Sequence, residues 1–535
     1  MRTAYYILNE EVFEEPDYLS ADGQALPGAT EPAKPASCPA FKFGRMFATP
    51  AMGLTAADQG EMISALTQLG LCMNDAEKYC QGAAVVAPGD STIPSGYTYL
   101  GQFIAHEITF DNTQGLPAQE PKPEDMRSPS IDLDSLYGAG PGDEQSRQWY
   151  DDKNPARLKV GPTQPIDGFD GKFDNDLPRD PQTGQALIGD PRNDENLAVA
   201  QTHVAFIKFH NRVVDALAPT CPPDKLFERA REEVVRHFQW LILNDYLPTI
   251  VDEGVLKSVR DDGPRWFKVE KKEDLFMPLE FSAAAFRLGH SMVRKEYQWN
   301  IYHSKQLKPP SMPFGVPLNQ LFDQTAFSGG IKSALPSDWV IDWRRFFDFP
   351  EELGHKPAPT GINMAGKIDT NFDFHLDQIP GFPAQDLPPE RRSITVRNLL
   401  RGFALRLPTG EQVAEALGET PLAPEEVASG PHGELLSTPI FKGRTPLWYY
   451  ILKEAELKGF GPDGKPGNRL GHVGSRIVAE TLVGLIQNSS LSILKGPAWY
   501  PSYGRGELGT ESARFGMADL LHFAFGGAVN PIGGP

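Results

Sequence analysis

The sequence predicts a mainly α, single-domain fold with long irregular loops and little β. Apolar residues recur at helical spacing in several separate segments, whereas alternating strand patterns are sparse. The 49 prolines and 51 glycines among 535 residues imply much irregular chain without a disordered composition. No internal repeat appears and no linker divides the chain. It therefore reads as an extended arm over 1–40, rich in Pro, Ala, Glu and Gly, followed by one domain over 41–535.

Taken in order, a helix is expected over 58–80, where Met62, Leu66 and Leu69 share a side. The segment from Gly101 to Thr109 follows, with Gln102 and His106 four apart on one helical face and Glu107 pointing elsewhere. Residues 111–190 form a Pro/Gly/Asp-rich tract, a length that compact domains keep when it binds something or wraps the body. From Glu195 a helix places Val199, His203, Phe206, His210, Val213 and Leu217 on one broad face, and Pro219 stops it. Further helices are expected over Leu226–Asn244, Phe281–Val293, Ser393–Leu400, Thr445–Lys458 and Gly474–Gln487. Thr445-Pro446 suggests an N-cap with proline at the first helical position.

A net charge of −19 argues against nonspecific binding to nucleic acid or an anionic membrane surface. No apolar run approaches the roughly eighteen residues a membrane span needs. The four cysteines do not make a disulfide framework in so long a chain, and the spacing of Cys72 and Cys80 fits no common zinc motif. They are expected as free thiols. The first ten residues turn acidic before any apolar signal region develops, which with so few cysteines points to the cytoplasm. His203 and His210, two turns apart without a third ligand nearby, read as structural.

Five motifs carry the chemistry: Gly101-Gln102-Phe103-Ile104-Ala105-His106-Glu107, Asp132-Leu133-Asp134-Ser135-Leu136-Tyr137-Gly138, Gly189-Asp190-Pro191-Arg192-Asn193-Asp194-Glu195-Asn196, Phe286-Arg287-Leu288-Gly289-His290 and Asn398-Leu399-Leu400-Arg401. In this order and spacing they resemble the animal haem peroxidase family of the peroxidase–cyclooxygenase superfamily, over roughly residues 90–500. The resemblance implies haem b as cofactor and hydrogen peroxide as oxidant. Small donors (phenols, iodide, bromide or thiocyanate) would be oxidised through an oxo-ferryl intermediate.

Residue by residue, the resemblance makes His106 the distal acid–base residue, and a neutral imidazole suits that work near neutral pH. It makes Arg192 the fixed cation beside the reacting oxygens and Gln102 the halide contact. His290 matches the proximal iron ligand and Asn398 the acceptor for its second nitrogen. Arg401 matches the arginine that pairs with a haem propionate. Glu107, with Ser128, Ser130, Asp132 and Asp134, matches the family's calcium site, although Glu107 replaces an aspartate and Asp134 a serine. Calcium would favour an exported protein.

Several positions depart from the family. Many members tether haem by two esters, from an aspartate before the distal histidine and a glutamate in the arginine motif. Ala105 cannot form the first; Glu195 can form the second. Asn196 excludes the sulfur link that some members make from a methionine. The radical-forming tyrosine of the fatty-acid dioxygenases in this superfamily, three residues before the proximal histidine, is here Arg287. Peroxidase is therefore expected ahead of a haem-dependent fatty-acid dioxygenase. A non-catalytic binding scaffold is less expected still, since it has no use for His106, Arg192 and His290 together.

Overall fold

The computed structural model describes residues 41–48, 56–80, 89–110, 124–125, 127–269, 275–304, 315–327, 329–331, 333–372 and 392–533. The expected arm over 1–40 lies outside them. The principal helices are α1 (Ala56–Asn74), α2 (Gly96–Ile108), α3 (Leu197–Leu217), α4 (Leu226–Leu241), α5 (Glu253–Asp262), α6 (Ile394–Ala404), α7 (Leu447–Lys458), α8 (His472–Asn488) and α9 (Met517–Ala524). Strands are short. Phe41–Gly44 pairs antiparallel with Glu124–Asp125 and parallel with Phe276–Pro278, and Asp90–Pro94 pairs antiparallel with Met364–Gly366. Among the described residues no helix is long and apolar enough to cross a membrane.

α3 is the central element. Asn196 caps it, its side chain accepting from the Val199 amide at 3.1 Å. It is buried nearly all round and packs against α2, α4 and α9. Phe103 of α2 stacks on Phe206 of α3 at 4.5 Å, and Phe238 of α4 meets both edge-on. This aromatic contact fixes α2 against α3 and so sets the position of His106, one turn beyond Phe103. Gly101 allows the approach of a second element: a Cβ there would lie 2.5 Å from the Tyr246 hydroxyl. Tyr246 ends a π-helical turn, Ile242–Tyr246, that continues α4.

Three expectations are corrected. The segment Phe281–Val293 is not one helix but three short turns, Leu279–Ser282, Ala285–Leu288 and Gly289–Met292. The break comes at Ala284 (φ −134°, ψ −78°), and the Ser282 carbonyl is taken by the Arg287 side chain at 3.0 Å. Thr445 does not cap α7: Pro446 occupies the N-cap position, and the Thr445 hydroxyl is bound by Glu411 from another helix. Cys72 and Cys80 are not free thiols but form a disulfide. α1 ends at Asn74 and the short helix Ala76–Tyr79 folds back, which brings their Cα atoms to 5.4 Å.

Candidate active site

His106 faces a cavity near the C-terminal end of α2, with Gln102 one turn before it. Its Nδ1 lies 2.9 Å from the Asn193 side-chain oxygen, while the Asn193 amide nitrogen faces His203 Nδ1 at 3.0 Å. With its nitrogen committed to His203, Asn193 can only accept from His106. The His106 proton therefore sits on Nδ1, and the Nε2 lone pair is left for the cavity. Nε2 has no partner among the described residues. Burial, and then the nearby Arg192 charge, lower the His106 pKa to about 3, so the ring is neutral at any ordinary pH.

Arg192 is buried in a fixed posture. It grips Asp190 through Nε (3.0 Å) and Nη2 (2.7 Å), and Nη2 also donates to the His106 carbonyl at 2.8 Å. Arg127 holds the same aspartate from the other side, at 2.7 Å. Burial alone would push the Asp190 pKa up, but Arg127 and Arg192 together hold it well below the usual carboxylate range. Glu195 accepts from Gln102 at 3.1 Å, and the Asn196 amide donates to the Gln102 oxygen at 3.1 Å. Both ends of the Gln102 amide are thus engaged from the loop that carries Arg192. Burial raises the Glu195 pKa well above its ordinary value.

His290 reaches the same cavity from the Gly289–Met292 turn. Its Nδ1 lies 2.8 Å from the Asn398 amide nitrogen, and Arg287 donates to the Asn398 oxygen at 2.6 Å. A guanidinium only donates, so the Asn398 oxygen is turned to Arg287 and the amide nitrogen to His290. The expected acceptor role of Asn398 is therefore not what the structure shows: it donates to His290. Burial, followed by the Arg287 charge, lowers the His290 pKa to about 3. Arg401 is buried on α6 one turn beyond Asn398 and is not part of the cavity wall, where that helix is represented by Ile394.

The cavity encloses about 1020 Å³, part of it open to solvent, and its remaining wall is largely apolar, with Phe281, Phe286, Val293, Leu318 and Phe322. These residues fit a haem. Two neutral imidazoles on separate elements line one apolar-walled space, His106 donating from Nδ1 to Asn193 and His290 accepting at Nδ1 from Asn398. Glu195 also lines it, beside Ala105.

Glu107 turns away from the cavity, as expected. Its carboxylate accepts from the backbone amides of Asp134 and Ser135, each at 3.1 Å. Oxygens of Glu107, Asp132 and Asp134 lie within 4.8 Å of one another. Burial first, then mutual repulsion, raises the pKa of Glu107 and brings that of Asp132 to about 7. Such a group calls for a proton or a cation, and Arg127, 3.5 Å from Asp134, supplies part of that charge. The serines contribute less directly. Ser130 bonds the Ser489 hydroxyl at 3.2 Å, and Ser128 offers its backbone amide to Asp134.

The sequence model described as animal haem peroxidase matches residues 111–335, within which Asp190, Arg192, Asn193, Glu195 and His290 fall. Over these residues the chain is similar to the animal haem peroxidase family. It is similar to peroxinectin A of Dictyostelium discoideum, 22% identical over 213 residues, which cover 38% of each protein. The match thus spans well under half of that relative's own length. Among solved structures, it resembles peroxidase A of D. discoideum, with a TM-score of 0.52 at 16% identity over 79% of this chain and 83% of that one. It also resembles a rice fatty acid alpha-dioxygenase, with a TM-score of 0.54 at 13% identity over 84% and 76%. At these identities the two structures speak for the fold alone.

Asn193, Asp190 and Arg127 escaped the reading of the sequence as functional residues. Asn193 and Asp190 stand inside the arginine motif, flanking Arg192, so the signal was present as polar residues in a segment that also carries the catalytic candidate. Arg127 precedes the acidic loop directly, but nothing in the sequence pairs it with Asp190 63 residues away.

Proposed function

We propose that this protein is a haem-dependent peroxidase that uses hydrogen peroxide to oxidise small donors such as phenols, iodide, bromide or thiocyanate. The observation that carries the reading is the His203–Asn193–His106 chain, which leaves a neutral Nε2 on a cavity that His290 also lines. Haem b, when held from the His290 side, would supply the iron at which peroxide is reduced. The His290 Nε2 lone pair is free for that iron only once the His290 proton stands on Nδ1, which requires the Asn398 amide to turn its oxygen from Arg287 to His290. His106 takes a proton from the peroxide oxygen nearer that iron and returns it to the departing oxygen, which leaves as water. Its Nδ1–H remains on Asn193 throughout, so the imidazolium formed in passing is stabilised by a charge-assisted hydrogen bond. Arg192, immobilised by Asp190 and the His106 carbonyl, places a permanent positive charge beside this transfer. Gln102, held by Glu195 and Asn196, presents an amide one turn below His106 for a small anion or phenol.

One ester to haem is open to this chain, through Glu195, and none through residue 105. Calcium is proposed at Glu107, Asp132 and Asp134, where it would neutralise three crowded carboxylates. A dioxygenase reading draws on the fold it shares with the rice enzyme. Against it stands Arg287, engaged with Asn398 and the Ser282 carbonyl at the place where that chemistry needs a tyrosine. The test is oxidation of guaiacol and iodide by haem-loaded protein with peroxide, alongside oxygen uptake with palmitate. Peroxide-dependent turnover without oxygen uptake supports the peroxidase; oxygen uptake with palmitate and no guaiacol oxidation overturns it. Acid–butanone extraction of the haem after peroxide treatment tests Glu195, since complete extraction excludes the ester. Metal analysis after dialysis against excess calcium tests the acidic group.

A further inference from the structure

A file of aromatic residues, joined by ring contacts and at one step by a hydrogen bond to a backbone carbonyl, leads from the cavity wall to the surface. Tyr99, on α2, lines the cavity and meets Tyr297 with ring centroids 5.8 Å apart, each hydroxyl within the other's electrostatic reach. Tyr297 stacks on Phe346 at 5.8 Å, and Phe346 meets Trp299 edge-on at 5.3 Å. The Trp299 indole N–H donates to the Trp339 carbonyl at 2.7 Å. Trp339 is half-buried and stacks on the half-buried His303 at 4.0 Å, beside Tyr302, which is 40% exposed. Tyrosine and tryptophan are the side chains most easily oxidised by one electron among those without sulfur. Here four of them span the distance from the cavity to solvent, with one phenylalanine between.

We propose that this file is an electron conduit, and that Trp339 is a second oxidation site for one-electron donors too large to enter the cavity. The proposal rests on the peroxidase reading, since peroxide reduction at the cavity supplies the oxidising equivalents. One electron passes from the Tyr99–Tyr297 pair to the cavity, and the phenolic proton released passes to solvent in the cavity that Tyr99 lines. Trp299 refills the pair across the Phe346 ring, the proton returns, and Trp339 refills Trp299. The oxidised Trp339 then takes an electron from the surface donor. Two such transfers, with two protons from solvent, reduce one hydrogen peroxide to two waters and leave two donors each oxidised by one electron. The chain's net charge of −19 favours a cationic macromolecule as donor.

The test uses haem-loaded protein, peroxide and two donors: guaiacol, which fits the cavity, and ferrocytochrome c, a basic protein, which does not. Trp339→Phe and Tyr297→Phe, neither in the cavity wall, should keep guaiacol oxidation and lose oxidation of ferrocytochrome c. In the parent, peroxide without donor should leave a spin-trap adduct on the Trp339 peptide, and Tyr297→Phe should abolish it. If both variants oxidise ferrocytochrome c at the parental rate, or if the parent oxidises guaiacol but forms no adduct at Trp339, the conduit is overturned. If the parent oxidises neither donor, the peroxidase reading itself fails and the conduit falls with it.

Discussion

Replacing Asn193 by alanine removes the acceptor of the His106 Nδ1 proton, a contact of 2.9 Å between buried groups. During proton transfer His106 carries a positive charge, and a hydrogen bond to a charged group is worth about 1.5–3 kcal/mol. At about 1.4 kcal/mol per decade, its loss should slow the reaction with peroxide by roughly 10- to 150-fold. The same substitution strands His203 Nδ1, so a stability loss of about 1–3 kcal/mol should accompany it. The assay is stopped-flow absorbance at the Soret band against peroxide concentration, on protein with matched haem content. Asn193→Asp separates orientation from mere structure. A carboxylate keeps the acceptor and should largely keep the rate, but its charge should raise the His106 pKa. The parental base must be unprotonated to act, so its rate should be level above about pH 3 and fall as pH drops through that value. In Asn193→Asp the fall should begin at higher pH. A variant Asn193→Ala within about twofold of the parent at equal haem content, against the tenfold minimum expected from the lost hydrogen bond, would refute the reasoning.

Glu454 is buried with its carboxylate on the Val473 amide at 2.9 Å, and burial raises its pKa to about 7. The folded state therefore holds a proton that the unfolded state loses near pH ~4.3, and stability falls as pH rises from there to about 7, by roughly 3–4 kcal/mol. Glu454→Gln should gain on the parent in urea midpoint between pH 5 and pH 8; an equal difference at both would contradict this. Phe103→Ala should cost about 3–5 kcal/mol, read from urea unfolding, because the ring is fully buried between Phe206 and Phe238. A loss under about 1 kcal/mol would show that α2 is not seated by that contact. Peptide mapping without reductant should recover Cys72 and Cys80 in one linked peptide, and recovery of both as alkylated thiols would contradict the disulfide.

Helical period and the five motifs were legible in the sequence where the pattern is local. α3, expected from Glu195 with a stop at Pro219, and α2, with Gln102 and His106 on one face, follow from spacing. What escaped depends on partners distant in the chain. The apolar period over Phe281–Val293 could not show the break at Ala284, which lets Arg287 reach back to the Ser282 carbonyl and across to Asn398, 111 residues away. Thr445 looked like a cap because its real partner, Glu411, lies on another helix. The pairing of Cys72 with Cys80 depends on a chain reversal after Asn74 that the spacing did not announce. Asn398 was read with the correct contact and the wrong polarity, since only the position of Arg287 decides which end of the amide faces His290.

The central claim is that His290 holds a haem on one side of the cavity while His106 works on the other. Absorption spectra of the parent, His290→Ala and His106→Ala, each supplied with haem and then with peroxide, test it most directly. The parent should show a Soret band that shifts on adding peroxide. His290→Ala should retain little or no bound haem. His106→Ala should keep the band but react with peroxide about 10²–10⁴-fold more slowly. A parent that takes up no haem, or two variants whose spectra and rates match the parent's, would contradict the account.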